Sequence, residues 1–193
     1  IKGTYTGMSF DIYFKGEDKK YKLETKLLGR ANVYNILAAV MLARELGMNM
    51  DEIIAGVRGI NTIEHRLEMK KQGSLNIIDD AYNSNPIGAK MAVETLGLMP
   101  GEKVIITPGM IELKDKQYEL NFEFGRQIAD VCDLVILVGK NQTKPIYDGL
   151  IDKKYPIDKI YVFDDVFEAF NVIRGMKNAY VLLENDLPDL FNE

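Results

Sequence analysis

Leu134-Val135-Ile136-Leu137-Val138 is an unbroken apolar run that stops abruptly at Gly139-Lys140-Asn141. A strand with one solvated face alternates apolar and polar residues, so a run without that alternation predicts a strand covered on both faces. Leu75-Asn76-Ile77-Ile78, Val104-Ile105-Ile106, Ile160-Tyr161-Val162 and Tyr180-Val181-Leu182-Leu183 read the same way. With a further β run near 66–70, they place strands near 75–79, 103–107, 133–138, 159–163 and 179–183. Between them, apolar residues at helical spacing predict helices near 86–98, 116–130, 142–152 and 165–175. Short buried strands alternating with helices predict an α/β fold with a doubly wound, mostly parallel sheet.

The residues ahead of this region follow another pattern. Residues 4–14 alternate and are rich in β-formers, Lys15-Gly16-Glu17-Asp18-Lys19-Lys20 reads as a turn, and 21–28 alternate again, which predicts a β-hairpin. Asn32 to Leu46 carries a helical period closed by Gly47, and Asp51 is placed to cap a second helix through Gly59. Asn61-Thr62-Ile63-Glu64-His65 has no period and reads as a linker. The expected division is therefore 1–62, a hairpin with two helices, and 63–193, a Rossmann-like unit. The chain opens at Ile1 inside a strand pattern, without a methionine and without a signal peptide, so it is expected to be a piece of a longer protein.

Composition narrows the function classes. Hydrophobic residues make up 47% of the 193 and charged residues 27%, proportions that support a packed core and argue against disorder. A formal net charge of −5, with no basic stretch longer than Lys19-Lys20 or Lys153-Lys154, argues against nucleic-acid or anionic-membrane surfaces. No segment approaches the ~20 apolar residues of a membrane span, so a cytoplasmic location is expected. His65 is the only histidine, which removes multi-histidine metal sites and a Ser/His/Asp triad and leaves His65 as an exposed linker residue. Cys132, the only cysteine, precedes an apolar strand and reads as a small buried hydrophobe. Leu120, Phe124 and Ile128 form a helical stripe destined for the core.

In an open α/β sheet, ligands bind outside the carboxyl ends of the strands. Those ends carry Asp79-Asp80 with Asn83 and Asn85, then Glu112 and Asp115, Gly139-Lys140-Asn141, Asp164-Asp165 and Glu184-Asn185-Asp186. The rim is polar and mostly acidic, which suits amines, hydroxyls or a ribose more than bare phosphate. No strand-to-helix turn is G-x-G-x-x-G, which argues against a self-contained dinucleotide site. Asp79-Asp80-Ala81-Tyr82-Asn83-Ser84-Asn85-Pro86 is the most informative stretch: Asn85 is placed to cap the next helix and Pro86 suits its first position. That alone describes a well-made turn. Adjacent strand residues point to opposite faces, so Asp79 and Asp80 do not form one catalytic pair.

Asp80-Ala81-Tyr82-Asn83-Ser84-Asn85-Pro86 also resembles the D-S-Y-N-A-N-P signature of the Mur ligases, and is most similar to the MurF type, which adds D-alanyl-D-alanine to a UDP-N-acetylmuramoyl tripeptide. Gly29-Arg30-Ala31-Asn32-Val33-Tyr34-Asn35-Ile36-Leu37-Ala38-Ala39 resembles the family's G-R-H-N-x-x-N-A-L-A-A, Glu64-His65-Arg66-Leu67-Glu68 its G-R-L-E type linker, and Gly109-Met110-Ile111-Glu112-Leu113 its G-D-M-x-E-L. The resemblance implies the end of a central ATPase domain followed by a complete C-terminal domain. It implies ATP with Mg²⁺, a UDP-MurNAc-peptide whose carboxylate becomes an acyl phosphate, a small amine or dipeptide acceptor, and a monomer. By the same resemblance Asn32 and Asn35 belong near adenine, Asp80 on the ribose and Arg66 at the γ-phosphate as the catalytic cation. Tyr82, Asn83, Asn85 and Glu112 belong to the substrate side, and no residue is assigned to metal. On the residues alone, Asn32 reads as a helix N-cap and Arg66 as a partner of Glu64 or Glu68.

No G-x-x-x-x-G-K-[ST] phosphate loop occurs in the 193 residues; the resemblance places that loop upstream, so this chain alone is expected not to turn over. The family's His and acid are replaced by Ala31 and Gly109, and a further His by Asn121. The basic K-G-S-R turn after the last strand is replaced by Leu183-Glu184-Asn185-Asp186-Leu187-Pro188, reversing the local charge. An acceptor other than D-alanyl-D-alanine, such as glutamate, or a noncatalytic Mur-like binding protein, therefore stays open as an alternative.

Overall fold

Tyr5 and Thr6 interrupt the first alternating stretch, and the chain reverses there. The computed structural model, which describes residues 1–186, has three antiparallel strands where the sequence predicts a two-stranded hairpin: β1 (Lys2–Thr4), β2 (Gly7–Tyr13) and β3 (Lys20–Thr25). Gly7 permits the reversal: it holds φ 140°, and a Cβ there would lie 2.0 Å from the Thr25 carbonyl oxygen.

The helix α1 (Arg30–Glu45) begins ahead of its predicted start. Asn32 lies inside it and donates from Nδ2 to the Leu28 carbonyl at 2.8 Å, so it is not the N-cap; Gly29 occupies that position. The second helix, α2 (Met50–Gly59), is capped by Asn49 instead of Asp51. Asn49 Oδ1 accepts the Glu52 N–H at 3.0 Å while the Glu52 carboxylate accepts the Asn49 N–H at 3.1 Å, a reciprocal box that satisfies two otherwise free amides. Phe10, Leu23, Ile36, Val40, Ile53 and Val57 form the core between this sheet and the two helices.

The linker is longer than predicted. His65 and Leu67 hold φ of 59° and 50°, conformations no strand tolerates, so β4 (Glu68–Gln72) starts past Arg66. There follow β5 (Leu75–Asp80), α3 (Pro86–Gly97), β6 (Glu102–Thr107), α4 (Gln117–Ala129), β7 (Leu134–Val138), α5 (Lys144–Asp152), β8 (Ile160–Phe163), α6 (Val166–Ile173) and β9 (Ala179–Glu184). The sheet order is β4-β5-β9-β6-β7-β8, with only β4 antiparallel to its neighbour. The predicted doubly wound, mostly parallel sheet is present. Its faces are covered unequally: Ile78, Ile105, Leu137 and Leu182 pack with α3, α4 and α5, whereas Ile77, Val104, Ile136 and Val181 pack with α6.

Phe124 and Ile128 are fully buried in the first of these cores with Leu120 against it. Cys132 is buried there too, and burial pushes its thiol far above the ordinary range, so it is inert at neutral pH. Among the described residues, no helix is long and apolar enough to cross a membrane.

Candidate functional site

Strand order fixes where a ligand can sit. The last strand, β9, lies between β5 and β6, so the crossovers part at the carboxyl ends of these three strands and leave a crevice. The β5 end supplies Asp79 and Asp80, which face opposite ways as expected. Asp79 turns to the α6 side, where it accepts from Lys70 Nζ at 2.6 Å and from His65 Nδ1 at 3.0 Å. Burial works against its charge, but Lys70, His65 and the Ala81 N–H outweigh burial and hold its acid below the usual carboxylate range.

Asp80 turns the other way, toward α3. Its Oδ1 accepts the Leu67 N–H at 2.9 Å, tying the linker to the strand end. Burial pushes its acid up, against the Leu67 N–H and the nearby Arg66 charge. After β5 the chain loops to α3, where Asn85 Oδ1 accepts the N–H groups of Ile87 and Gly88 at 3.1 and 3.0 Å and Pro86 opens the helix. That cap is the predicted one.

Asn32 and Asn35 from α1, Arg66 from the linker, and Asp80, Asn83 and Asn85 from the β5 end line one cleft of about 170 Å³. Gly29 lets the two units meet beside it, since a Cβ there would lie 2.7 Å from Leu67 Cδ1 and 2.9 Å from Thr95 Oγ1. Arg66 is exposed and forms no ion pair with Glu64 or Glu68 among the described residues; its guanidinium lies 4.2 Å from the Tyr82 ring centroid. Tyr82 is thus placed under Arg66 rather than in the cleft wall. Amide groups that both donate and accept, a carboxylate and a cation are the functional groups that bind a base edge, a diol and a phosphoryl oxygen. The cleft, at about 170 Å³, is smaller than the ~300 Å³ at which small-molecule pockets begin, so by itself it encloses only part of a ligand of that size.

Glu112 stands apart, in a second cavity of about 390 Å³ that shares Asn83 and Ser84 with the first. Its loop is held by the Met110 peptide. Asn121, fully buried, accepts the Met110 N–H at 2.9 Å and donates back to its carbonyl at 2.9 Å, and Gln117 and Gln142 donate to the same oxygen at 2.5 and 3.0 Å. Gly109 is required beside it, with φ 80° and Asn121 Oδ1 only 2.9 Å from where a Cβ would be. Asp186 joins Glu112 in this cavity, while Leu187 and Pro188 of the altered terminal turn lie outside the described residues. Two larger hollows, of about 520 and 450 Å³, contain none of the predicted site residues. Among the described residues no three His, Cys, Asp or Glu side chains gather as a metal site, so these side chains do not fit Mg²⁺ as a cage of their own.

One residue of the cleft stands out in the sequence only as part of an acidic rim. Glu184, 1% exposed at the end of β9, lines the cleft and pairs in register with Asp80. Its Oε1 accepts from Ser84 Oγ at 2.5 Å, and its Oε2 is buried with no hydrogen-bond partner among the described residues. The signal available in sequence is an acidic residue directly after a fully apolar strand, where a side chain on the covered face has no solvent to reach.

Comparison with known proteins shows the family and the fold. The chain is 25% identical over 197 residues to a UDP-N-acetylmuramate--L-alanine ligase of Dictyoglomus turgidum, covering 94% of this chain and 39% of that protein. It is 33% identical over 118 residues to the UDP-N-acetylmuramoyl-tripeptide--D-alanyl-D-alanine ligase of Bacillus subtilis, covering 59% of this chain and 26% of that one. The fold is that of MurF from Acinetobacter baumannii, with a TM-score of 0.80 at 23% identity over 96% of this chain and 40% of that one. The Thermotoga maritima MurF ligase in complex with ADP is similar at a TM-score of 0.74 and 22% identity, over 92% and 42%. The chain thus spans about two-fifths or less of the length of these relatives. The family model for the Mur ligase, glutamate ligase domain matches residues 65–183, most of the chain. This protein belongs to the Mur ligase family.

Proposed function

We propose that the protein is the C-terminal part of an ATP-dependent, amide-bond-forming ligase of peptidoglycan precursor synthesis, with 1–62 contributed by the central domain and 63–193 forming the C-terminal domain. The observation that carries this reading is the single cleft lined by Asn32, Asn35, Arg66 and Asp80, residues drawn from a helix, a linker and a strand end. In this reading ATP supplies the phosphoryl group that turns a UDP-MurNAc-peptide carboxylate into an acyl phosphate. Asn32 and Asn35 orient the adenine edge and Asp80 accepts from a ribose hydroxyl. Arg66, held over Tyr82 and forming no ion pair among the described residues, offers its N–H groups to the charge that develops on the transferred phosphoryl. Asn83, Asn85 and Glu112 border the incoming amine, which displaces the phosphate.

For the acceptor, D-alanyl-D-alanine is the MurF-type reading. A different amine is the second reading, favoured by the two carboxylates, Glu112 and Asp186, in the cavity of about 390 Å³. Like charges there work against an acceptor carboxylate, most for glutamate and least for an amine with a second ammonium group, such as lysine. The test is phosphate release by the intact protein with ATP, a UDP-MurNAc-peptide and, in turn, D-alanyl-D-alanine, glutamate, diaminopimelate and lysine. Release with one acceptor identifies it, and no release with any of them favours a noncatalytic Mur-like protein.

A further inference from the structure

The end of β9 holds an unresolved electrostatic problem. Asp80 and Glu184 are register partners on adjacent parallel strands, so their side chains leave the sheet on the same face and meet there. Neither is open to solvent in the way a surface carboxylate is; Glu184 is 1% exposed. The Ser84 hydroxyl occupies one Glu184 oxygen, and among the described residues nothing donates to the other. Two ionised carboxylates in this position repel each other with little water to screen them, and a buried acceptor without a donor carries its own desolvation cost.

We propose that Glu184 is a positioning residue for Asp80: it retains a proton at neutral pH and donates it from its otherwise unpartnered oxygen to the Asp80 carboxylate, holding that carboxylate at the cleft. One proton removes both difficulties. It cancels the like charge, and it converts the orphan acceptor into a donor aimed at the Asp80 carboxylate beside it. The groups around the pair favour placing the proton on Glu184. Asp80 receives the Leu67 N–H and the field of Arg66, both of which favour its charged form, whereas among the described residues Glu184 receives only the neutral Ser84 hydroxyl. Asp79, on the opposite face of β5, raises the Asp80 acid and so works against this placement, but the Leu67 N–H and Arg66 both favour the Asp80 charge. Burial first, and then the Asp80 charge, push the Glu184 acid up to about 8, in keeping with the geometry. A hydrated divalent cation between the two is a poor fit, since such an ion keeps several waters and the free Glu184 oxygen is closed to solvent.

The consequence for ligand binding rests on the reading of Asp80 as the ribose acceptor, so the experiment has one arm that is independent of it. In the intact protein, the infrared difference between wild type and Glu184→Gln at pH 7 is expected to contain a protonated-carboxyl band that vanishes at alkaline pH. In the second arm, ATP affinity of wild type is expected to weaken about tenfold as Glu184 ionises, the loss of one charge-assisted hydrogen bond. Glu184→Gln, whose amide still donates to Asp80, keeps the neutral-pH affinity at every pH, and Glu184→Ala is weak throughout. Absence of the band at pH 7 overturns the proposal, as does a Glu184→Gln protein that binds as poorly as Glu184→Ala. If the band is present but Asp80→Asn leaves ATP affinity untouched, the ribose reading fails while the shared proton stands.

Discussion

The Arg66 guanidinium rests on the face of the Tyr82 ring, 4.2 Å from its centroid, and not on a carboxylate. A cation stacked on an aromatic face is oriented without being neutralised, so its N–H fork stays available to an anion. In the proposed ligase, Arg66→Ala should lower kcat by about 10²-fold or more, the loss typical for a donor aimed at developing charge. Because Arg66 is exposed, the melting temperature should stay within the small range of surface substitutions. Tyr82→Phe keeps the ring and should be close to wild type, whereas Tyr82→Ala should cost about 3- to 30-fold in kcat by releasing the guanidinium. Steady-state kinetics with these three variants checks the assignment; normal turnover by Arg66→Ala would remove it.

Asp80→Asn separates fold from binding at a single atom. The amide oxygen can still accept the Leu67 N–H, now at 2.9 Å, so the linker should remain tied to β5 and the protein should fold. What is lost is the charge that a hydroxyl donor would meet, worth about 1–2 kcal/mol or roughly tenfold. The KM for ATP should rise by that factor with little change in kcat. An unchanged KM would make Asp80 a structural residue of the linker.

Burial of the Asp80 and Glu184 pair should also be visible in stability. A carboxyl whose acid is raised in the folded protein keeps its proton after the unfolded chain has released it, so stability falls as pH rises between the two values. For Glu184 that window runs from its ordinary 4.5 to about 8, with a slope near 1.4 kcal/mol per pH unit. Asp80, also raised, contributes in the same direction above its ordinary value. Asp79 acts oppositely: its acid is lowered, so its stabilisation is lost only as pH falls below the usual carboxylate range. Urea unfolding of wild type should therefore show a declining stability from pH 5 to 8 that is largely flattened in Glu184→Gln, which should be the more stable protein at pH 8. Parallel profiles for the two would show that Glu184 is ionised throughout.

The sheet was legible because its strands announce themselves by composition: five runs without polar alternation, such as Leu134–Val138, have only one environment that suits them. Turn chemistry was legible where one residue decides it, as at Asn85, Pro86 and Gly47. It failed where two residues compete for one role. Asp51 and Asn49 are both good caps, and only the reciprocal bond with Glu52 selects Asn49. Asn32 lost its expected cap because Gly29 starts the helix earlier. The convergence of Asn32, Asn35, Arg66 and Asp80 on one cleft followed from resemblance, not from spacing, since no local rule brings a helix, a linker and a strand end together. Glu184 was missed as an individual because the register between β5 and β9, which are separated in sequence by three other strands and four α-helices, is a product of the whole sheet.

Asn121 offers a test of the second cavity that does not touch it. Its side chain, wholly buried, bonds both the N–H and the carbonyl of Met110, the peptide that sets the Glu112 loop in its positive-φ turn. Removing it leaves a buried N–H without an acceptor, while Gln117 and Gln142 still serve the carbonyl. Asn121→Ala should therefore destabilise the protein by about 2–4 kcal/mol, one unsatisfied buried amide plus the lost packing of the side chain. Asn121→Asp keeps the acceptor for the Met110 N–H but faces the Met110 carbonyl with a carboxylate, and should be as damaging near pH 7 and milder at pH 4, where the acid can donate. Chemical denaturation of both variants at the two pH values checks this. If the loop serves the acceptor amine, the destabilised variants should also raise the KM for the acceptor more than the KM for ATP, because the nucleotide cleft shares only Asn83 and Ser84 with the Glu112 cavity.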